Sequence, residues 1–261
     1  MCELFGLNSS RPIEAASCLR DFRARGGGAG DNPDGWGLSY KEGANFRLVK
    51  EPLPAVRSEL FARMGETLRS DLILAHVRKA KYPLVNTFAN THPFKQVCCG
   101  KVWMFAHNGL IPEIVAMEQA NKKAVCRPDG QTDSEYAFCY LLGHIARQSH
   151  VTLQLTGEPW LETVARVAEA VASYGQFNFL ISDGEYLVAY AHDRLYYLER
   201  HDQNLGMGVL EVALIATEPL PSCAPWLPFE PGELRIYRHG RLVGDMKTYP
   251  PLPPKKAAAS Q

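Results

Sequence analysis

Hydrophobic and polar positions along the chain predict short buried strands with helices between them. Apolar runs at residues 2–7, 36–40, 46–49, 71–77 and 101–106 predict strands. Apolar residues return at helical spacing in residues 13–22, after Pro12 at a helix-opening position, and in residues 54–69 and 159–173. Thr132 and Glu135 have capping-box spacing and predict a helix immediately after them.

The second half of the chain has mainly strand patterns. Residues 177–200 read as three short strands with a turn at Asp183-Gly184, and residues 209–217 and 232–240 add more. Strands and helices are grouped, without strict alternation, which favours an α+β fold of mixed or antiparallel sheets with helices on their faces. We expect one domain over residues 1–250, and a disordered Pro/Ala-rich tail over residues 251–261.

Composition narrows the class of partner. Lys+Arg and Asp+Glu balance at 28 each, and no basic run suggests binding to nucleic acid or to a membrane surface. No apolar stretch is long enough to span a bilayer and no secretory signal is recognised, so a cytoplasmic location is expected. Seven cysteines at irregular spacing favour a reducing compartment, most of them as small core residues.

The first residues, MCELFGL, allow two interpretations of Cys2. Cys2 fits a buried first strand. Alternatively, removal of Met1 would give Cys2 a free α-amine beside its thiol. An amine with a pKa of about 8 can accept the proton of a thiol with a pKa of about 8.5, so this pair would be a nucleophile with its own base.

Four further polar groups follow strands or open a helix: Arg78, Asn108, Gly109 and Asp133. Taken singly, each has an ordinary reading as a surface residue, a turn or a helix cap. Taken with Cys2, they match the needs of amide hydrolysis on an amino acid. Asn108 and the Gly109 N–H would stabilise an oxyanion, Arg78 would bind an α-carboxylate, and Asp133 would bind an α-ammonium group.

These residues lie in motifs that resemble those of class II glutamine amidotransferases, in particular the stand-alone members. The motifs, in chain order, are MCELFG, DNPDGWG, AHVRKA, NTHPF, FAHNG, QTDSE, FNFLISDG and TEPL. The resemblance implies a four-layer αββα N-terminal-nucleophile hydrolase sandwich of two mostly antiparallel sheets. It also implies Cys2 as nucleophile, Asn108 and Gly109 as the oxyanion site, and Arg78 and Asp133 as substrate clamps.

Some features of this chain bear on the details of that resemblance. Larger glutaminase domains commonly carry Arg-x-x-Thr at the carboxylate clamp, whereas Arg78 is followed by Lys-Ala-Lys. His92 in NTHPF and His107 in FAHNG are candidates for lining the pocket, or for orienting the backbone around it. Residues 81–100 are long and irregular, so they are a candidate lid.

The leading hypothesis is hydrolysis of the γ-amide of glutamine, or of a γ-glutamyl compound, through a γ-glutamyl thioester on Cys2. No cofactor is expected, and the partner is a small molecule, with a separate ammonia-acceptor protein as an option. The alternative is a non-catalytic module that binds glutamine. The glycine-rich residues 25–31 lack the Lys-Ser/Thr ending of a phosphate loop, and the cysteines and histidines lack metal-site spacing.

Overall fold

Two antiparallel sheets and five helices form the molecule described by the computed structural model, which covers residues 2–151, 160–203 and 208–251. The helices of this part of the chain are α1 (Ala16–Arg25), α2 (Glu59–Thr67), α3 (Glu113–Gln119), α4 (Asp133–Val151) and α5 (Trp160–Ala172). The strands are β1 (Glu3–Glu14), β2 (Trp36–Glu42), β3 (Asn45–Glu51), β4 (Arg69–Val77), β5 (Phe94–Cys98), β6 (Lys101–Leu110), β7 (Gln176–Ser182), β8 (Tyr186–Ala191), β9 (Tyr196–Asp202), β10 (Leu210–Ala216), β11 (Leu227–Pro228), β12 (Glu233–Arg238) and β13 (Arg241–Lys247).

The predicted functional strands β1, β4 and β6 are all inner strands of the two sheets. The first sheet has the strand order β11-β9-β10-β1-β4-β2-β3, and the second has the order β13-β12-β8-β7-β6-β5. Strand β1 therefore lies between β10 and β4, and β6 lies beside β7. The residue that precedes β1 and the last residues of β6 come from different sheets, and the stacking of the sheets brings them together.

Three apolar clusters hold the layers together. Helices α1 and α2 cover the first sheet through Leu19, Phe22 and Phe61. Helices α3, α4 and α5 cover the second sheet with a larger set that includes Phe138 and Val164. The third cluster joins the two sheets, with Leu4, Leu72, Leu74 and Ile215 from the first, and Met104, Ala106, Leu180 and Leu187 from the second. The expectation of an α+β fold with two sheets between helical layers is confirmed.

The start of the chain differs from its predicted pattern. Strand β1 continues to Glu14, past Pro12, and α1 begins only at Ala16. The pairing of β1 with β4 shifts register between Asn8 and Ile13, and it resumes with Ile13 opposite Ser70 and Glu14 opposite Arg69. Proline is tolerated at such an irregularity because the ladder hydrogen bonds are interrupted there.

Other elements correspond to the predicted patterns with shifted ends. The predicted helix over residues 54–69 is α2, and residues 81–100, expected to be irregular, contain β5 near their end. Helix α3 and the last strand, β13, were not predicted. The disordered tail was predicted over residues 251–261, and all of these except Pro251 lie outside the described residues.

The structure contains two disulfides, whereas the sequence favoured reduced cysteines. Cys18 forms a disulfide with Cys223, with the Cα atoms 5.9 Å apart, and Cys126 forms one with Cys139, with the Cα atoms 5.5 Å apart. Cys18 and Cys223 are distant in sequence and meet because α1 lies against the segment that follows β10. Cys2, Cys98 and Cys99 are free.

Within the described residues, no helix is long and apolar enough to cross a membrane. In the same ranges, no group of three or more histidine, cysteine or acidic side chains converges as a metal site would require.

Candidate active site

Cys2 lies immediately before β1. Its thiol is half-buried and contacts the backbone of Lys79, whose N–H donates to Sγ at 3.2 Å and whose carbonyl accepts from it at 3.3 Å. Burial raises the pKa of this thiol, while the Lys79 N–H and the charge of Arg78 oppose the rise. Because the net shift is upward, the thiol requires a nearby base to react at neutral pH.

Arg78 follows β4 directly and is 3% exposed. Its guanidinium donates through Nη1 to the Val85 carbonyl at 3.1 Å and to Asn86 Oδ1 at 2.8 Å, and through Nη2 to the Pro83 carbonyl at 3.1 Å. Three of the five N–H donors of an arginine thus bind the loop formed by residues 83–86. Burial lowers the pKa of Arg78, but a guanidinium remains charged at any physiological pH.

Asp34, in the DNPDGWG turn, connects that loop to the end of β4. One of its carboxylate oxygens accepts from the Ala80 N–H at 2.8 Å, and the other accepts from Asn86 Nδ2 at 3.1 Å. The Asp34 N–H donates to the Arg78 carbonyl at 3.0 Å. Neither Asp34 nor Asn86 was predicted to contribute to the site. The turn chemistry of the motif was the only sequence signal for Asp34.

Asn108 is held between the two sheets at the end of β6. It is 2% exposed, and its Nδ2 lies 3.4 Å from Thr217 Oγ1. The same hydroxyl accepts from the backbone N–H of Leu4 at 2.8 Å. On its other side, Asn178 Nδ2 donates to the Asn108 carbonyl at 3.2 Å. Thr217 therefore connects the strand that follows Cys2 to the predicted oxyanion donor.

Gly109 lies at a position where the backbone leaves no room for a side chain. A Cβ atom built there would be 1.7 Å from the Gln176 carbonyl oxygen and 2.5 Å from Nε2 of His107. A contact of that length with backbone is impossible without a shift of β7 relative to β6. Glycine at this position therefore allows the neighbouring strand β7 to lie close to β6.

Asp133 is the first residue of α4. Its Oδ2 accepts from the Ile111 N–H at 2.7 Å, and its Oδ1 accepts from the Ser134 N–H at 2.8 Å. The positive end of the helix dipole also favours a negative charge there. These contacts fix the carboxylate at the edge of the cleft, 3% exposed.

His107 is a neutral, oriented group beside Asp133. Its Nε2 lies 3.1 Å from the Gln176 carbonyl, which can only accept, so Nε2 carries the proton. Burial lowers the pKa of His107, so the ring is neutral and Nδ1 accepts from Ser134 Oγ at 2.8 Å. The hydroxyl has one proton, so its 3.3 Å contact with Asp133 is not a second donated bond.

His92 lies deeper, against a second histidine that was not predicted as part of the site. The rings of His92 and His76 are 4.1 Å apart, and Phe94 lies 4.4 Å from His92. Among the described groups of the protein, neither ring nitrogen of His92 or of His76 has a hydrogen-bond partner. Burial lowers the pKa of His76 to about 3 and that of His92 well below its usual value. Both rings are neutral at physiological pH.

The cleft gathers six of the seven predicted residues. It is a narrow cleft, partly open to solvent, and its lining is Cys2, Arg78, Lys79, Lys81, Tyr82, His92, His107, Gly109, Leu110, Thr132, Asp133 and Ser134. The seventh, Asn108, lies beside the cleft with its amide toward Thr217. A thiol, a guanidinium and a carboxylate therefore face one small space, an arrangement that suits a zwitterionic amino-acid group next to a nucleophile.

Comparison with known proteins identifies the family of this chain. The model of the class II glutamine amidotransferases matches residues 1–260. The putative glutamine amidotransferase YafJ of Escherichia coli is 32% identical over 260 residues, which cover 93% of this chain and all of that protein. A gamma-glutamyl-hercynylcysteine sulfoxide hydrolase of Mycobacterium tuberculosis is 28% identical over 196 residues, which cover 75% of this chain and 71% of that protein.

Solved structures extend the comparison to the fold. A predicted glutamine amidotransferase from Pseudomonas aeruginosa superposes with a TM-score of 0.69 at 28% identity, over 93% of this chain and all of that one. The glutamine phosphoribosylpyrophosphate amidotransferase of B. subtilis superposes with a TM-score of 0.64 at 17% identity, over 94% of this chain and 49% of that one. From the family match and these relatives, we conclude that the chain belongs to the class II glutamine amidotransferases.

Proposed function

We propose that this protein hydrolyses the γ-amide of glutamine or of a γ-glutamyl compound, with Cys2 as the nucleophile. One observation carries the proposal: the Cys2 thiol shares a small cleft with a buried guanidinium and a helix-anchored carboxylate. Arg78 would bind the α-carboxylate and Asp133 the α-ammonium group, which places the γ-carbonyl of the substrate toward the thiol. His92 offers unpartnered ring nitrogens to a polar group of the substrate.

The proposed reaction needs only groups of this chain and water. Once Met1 is removed, the α-amine of Cys2 accepts the thiol proton, and the thiolate attacks the γ-carbonyl. The oxyanion receives hydrogen bonds from Asn108 Nδ2 and the Gly109 N–H. Collapse of the intermediate expels ammonia or an amine, which takes the proton from the protonated α-amine of Cys2. Water then cleaves the thioester, with the α-amine as base, and releases the γ-carboxylate.

Two substrate classes fit this chemistry. Glutamine would release ammonia, and a separate acceptor protein would be the expected partner. A γ-glutamyl compound would release a larger amine, and the similarity to the mycobacterial gamma-glutamyl-hercynylcysteine sulfoxide hydrolase supports this class. We favour the γ-glutamyl compound. A screen of both substrate classes, followed by detection of free glutamate, distinguishes the two.

The raised pKa of the Cys2 thiol is the observation that favours the alternative, a module that binds glutamine without cleaving it. The intact mass of the protein before and after exposure to 6-diazo-5-oxo-norleucine separates the two functions. Hydrolysis predicts a chain without Met1 that gains one adduct, mapped to Cys2. Retention of Met1 and absence of an adduct would support the binding module.

Matched variants define the role of the thiol. Cys2→Ala is expected to lose both the adduct and at least ~10³-fold of the turnover rate, because the covalent route is removed. Cys99→Ala removes another free thiol and should retain both. A Cys2→Ala protein that hydrolyses γ-glutamyl amides as fast as the wild type would refute the mechanism.

A further inference from the structure

The hairpin between β5 and β6 brings two cysteines into contact. Cys98 ends β5 opposite Lys101, and the two residues between them, Cys99 and Gly100, have φ angles of +57° and +76°. This conformation is that of a tight type I′ turn, in which Asn-Gly is the usual pair. Adjacent side chains within a strand point to opposite faces. In the turn, the sulfur atoms of the two cysteines lie 2.7 Å apart instead.

The two thiols differ in environment. Cys98 is buried, with Sγ 3.9 Å from the Leu142 carbonyl of α4, and its own carbonyl accepts from the Trp103 indole at 3.1 Å. Burial, followed by the neighbouring Cys99 sulfur, raises the pKa of Cys98 to about 12. Cys99 is exposed. An incoming reagent therefore meets Cys99 first, with Cys98 directly behind it.

This pair is separate from the candidate active site. The turn precedes Lys101 at the start of β6, whereas Asn108 and Gly109 lie near its end. At ~3.3 Å per residue, seven residues of strand separate them by roughly 20 Å. Within the described residues, no third histidine, cysteine or acidic side chain joins the pair to complete a metal site.

We propose that Cys98 and Cys99 form a reversible modification site that reacts with low-molecular-weight disulfides of the glutathione disulfide class. The Cys99 thiolate attacks the disulfide, which forms a mixed disulfide and releases one small thiolate. Cys98, deprotonated as it reacts, then attacks the Cys99 sulfur and releases the second thiolate. The two protein thiols lose two electrons and become a vicinal disulfide, and the small disulfide is reduced to two thiols.

The short distance between the sulfur atoms favours the second step. A disulfide bond is ~2.05 Å long, so the two sulfur atoms are already closer to bonding distance than independent thiols would be. The attack is intramolecular, so the proximity of the two sulfur atoms raises its rate. This gain offsets the low thiolate fraction of Cys98. The mixed disulfide is therefore expected to be short-lived.

Peptide mapping can test this directly. The flanking residues Lys95 and Lys101 allow trypsin to release residues 96–101, which contain Cys98 and Cys99 and no other cysteine. The full chain is incubated with oxidised glutathione, quenched in acid, unfolded, alkylated with iodoacetamide without reductant, and digested. The expected wild-type peptide carries no alkyl group and is lighter than the dithiol peptide by two hydrogen atoms. Dithiothreitol before alkylation should restore two alkyl groups.

Two variants keep the test decisive. Cys98→Ser should stop at the mixed disulfide, with at least about tenfold more of it than the wild type at equal time. Cys99→Asn keeps a residue suited to the turn and should leave Cys98 as an alkylatable thiol. A wild-type peptide that carries two alkyl groups, or a mixed disulfide that persists as it does in Cys98→Ser, would overturn the proposal.

Discussion

The Thr217 hydroxyl connects the strand behind the nucleophile to the proposed oxyanion donor, so its removal should affect stability and turnover separately. Thr217 is completely buried, and Oγ1 accepts from the Leu4 N–H at 2.8 Å and lies 3.4 Å from Asn108 Nδ2. In Thr217→Val, a methyl group of similar shape replaces the acceptor. The Leu4 N–H then has no acceptor from residue 217, and Asn108 loses a contact that fixes its amide.

The expected losses of stability and of kcat follow from these two contacts. A buried donor left without its partner costs ~1–3 kcal/mol, which we assign to the Leu4 N–H because its bond is the shorter. A displaced oxyanion donor should reduce kcat by roughly 10- to 100-fold, because a shift of about 1 Å in a catalytic group has effects of that size. KM should change little, since neither Arg78 nor Asp133 contacts Thr217.

The assay combines denaturant unfolding with initial rates of glutamate release. Thr217→Ser keeps the hydroxyl and is the matched control, so it should retain most of kcat. The reasoning would be refuted by a Thr217→Val protein with wild-type kcat and an unchanged free energy of unfolding. A loss of kcat shared equally by the serine variant would instead point to the methyl group.

Three further outcomes are expected. Gly109→Ala should lower the free energy of unfolding by ~3 kcal/mol or more in denaturant titrations, because its Cβ would be 1.7 Å from a backbone oxygen, whereas Gly143→Ala, whose Cβ meets only a side chain at 3.8 Å, should be neutral or slightly stabilising. The free energy of unfolding should fall as pH drops from ~6.5 toward 3, by up to ~1.4 kcal/mol per unit for each buried histidine, because the unfolded chain binds protons that the folded chain cannot. The pKa of His76 is lowered to about 3, so His76→Phe should flatten that slope, and an unaltered slope would contradict the assignment. Replacing Cys18 and Cys223 together by alanine should cost ~2–5 kcal/mol of stability, because their disulfide closes a loop over a sequence separation of 205, and an unchanged unfolding midpoint would show that the bond contributes nothing.

The sequence predicted the strands and the polar groups at their ends because buried strands leave a strong local pattern. Asp71 to Ala80 reads as an apolar run followed by a cation, and the structure has β4 followed by Arg78. The extension of β1 past Pro12 was missed because its pairing with β4 is a long-range property, and local preference favoured a helix there.

The contacts that position the site were less predictable. Asn178 lies in β7 and Thr217 directly follows β10, and only the register and stacking of the sheets bring them to Asn108. Asp34 and Asn86 meet through a loop that no periodicity describes. The disulfide between Cys18 and Cys223 was missed for the same reason, since their pairing depends on the packing of α1 and not on spacing.

The position of β1 within the first sheet determines how destabilising substitutions elsewhere in the protein would affect the measured activity. A strand paired on both sides, with β10 and β4, opens only when most of the sheet opens, so its amides should exchange with deuterium at rates close to global unfolding. Local fluctuation is therefore expected to displace Leu4, and Cys2 immediately before the strand, very little. Destabilising substitutions remote from the cleft should reduce the number of folded molecules while the folded ones keep their intrinsic rate.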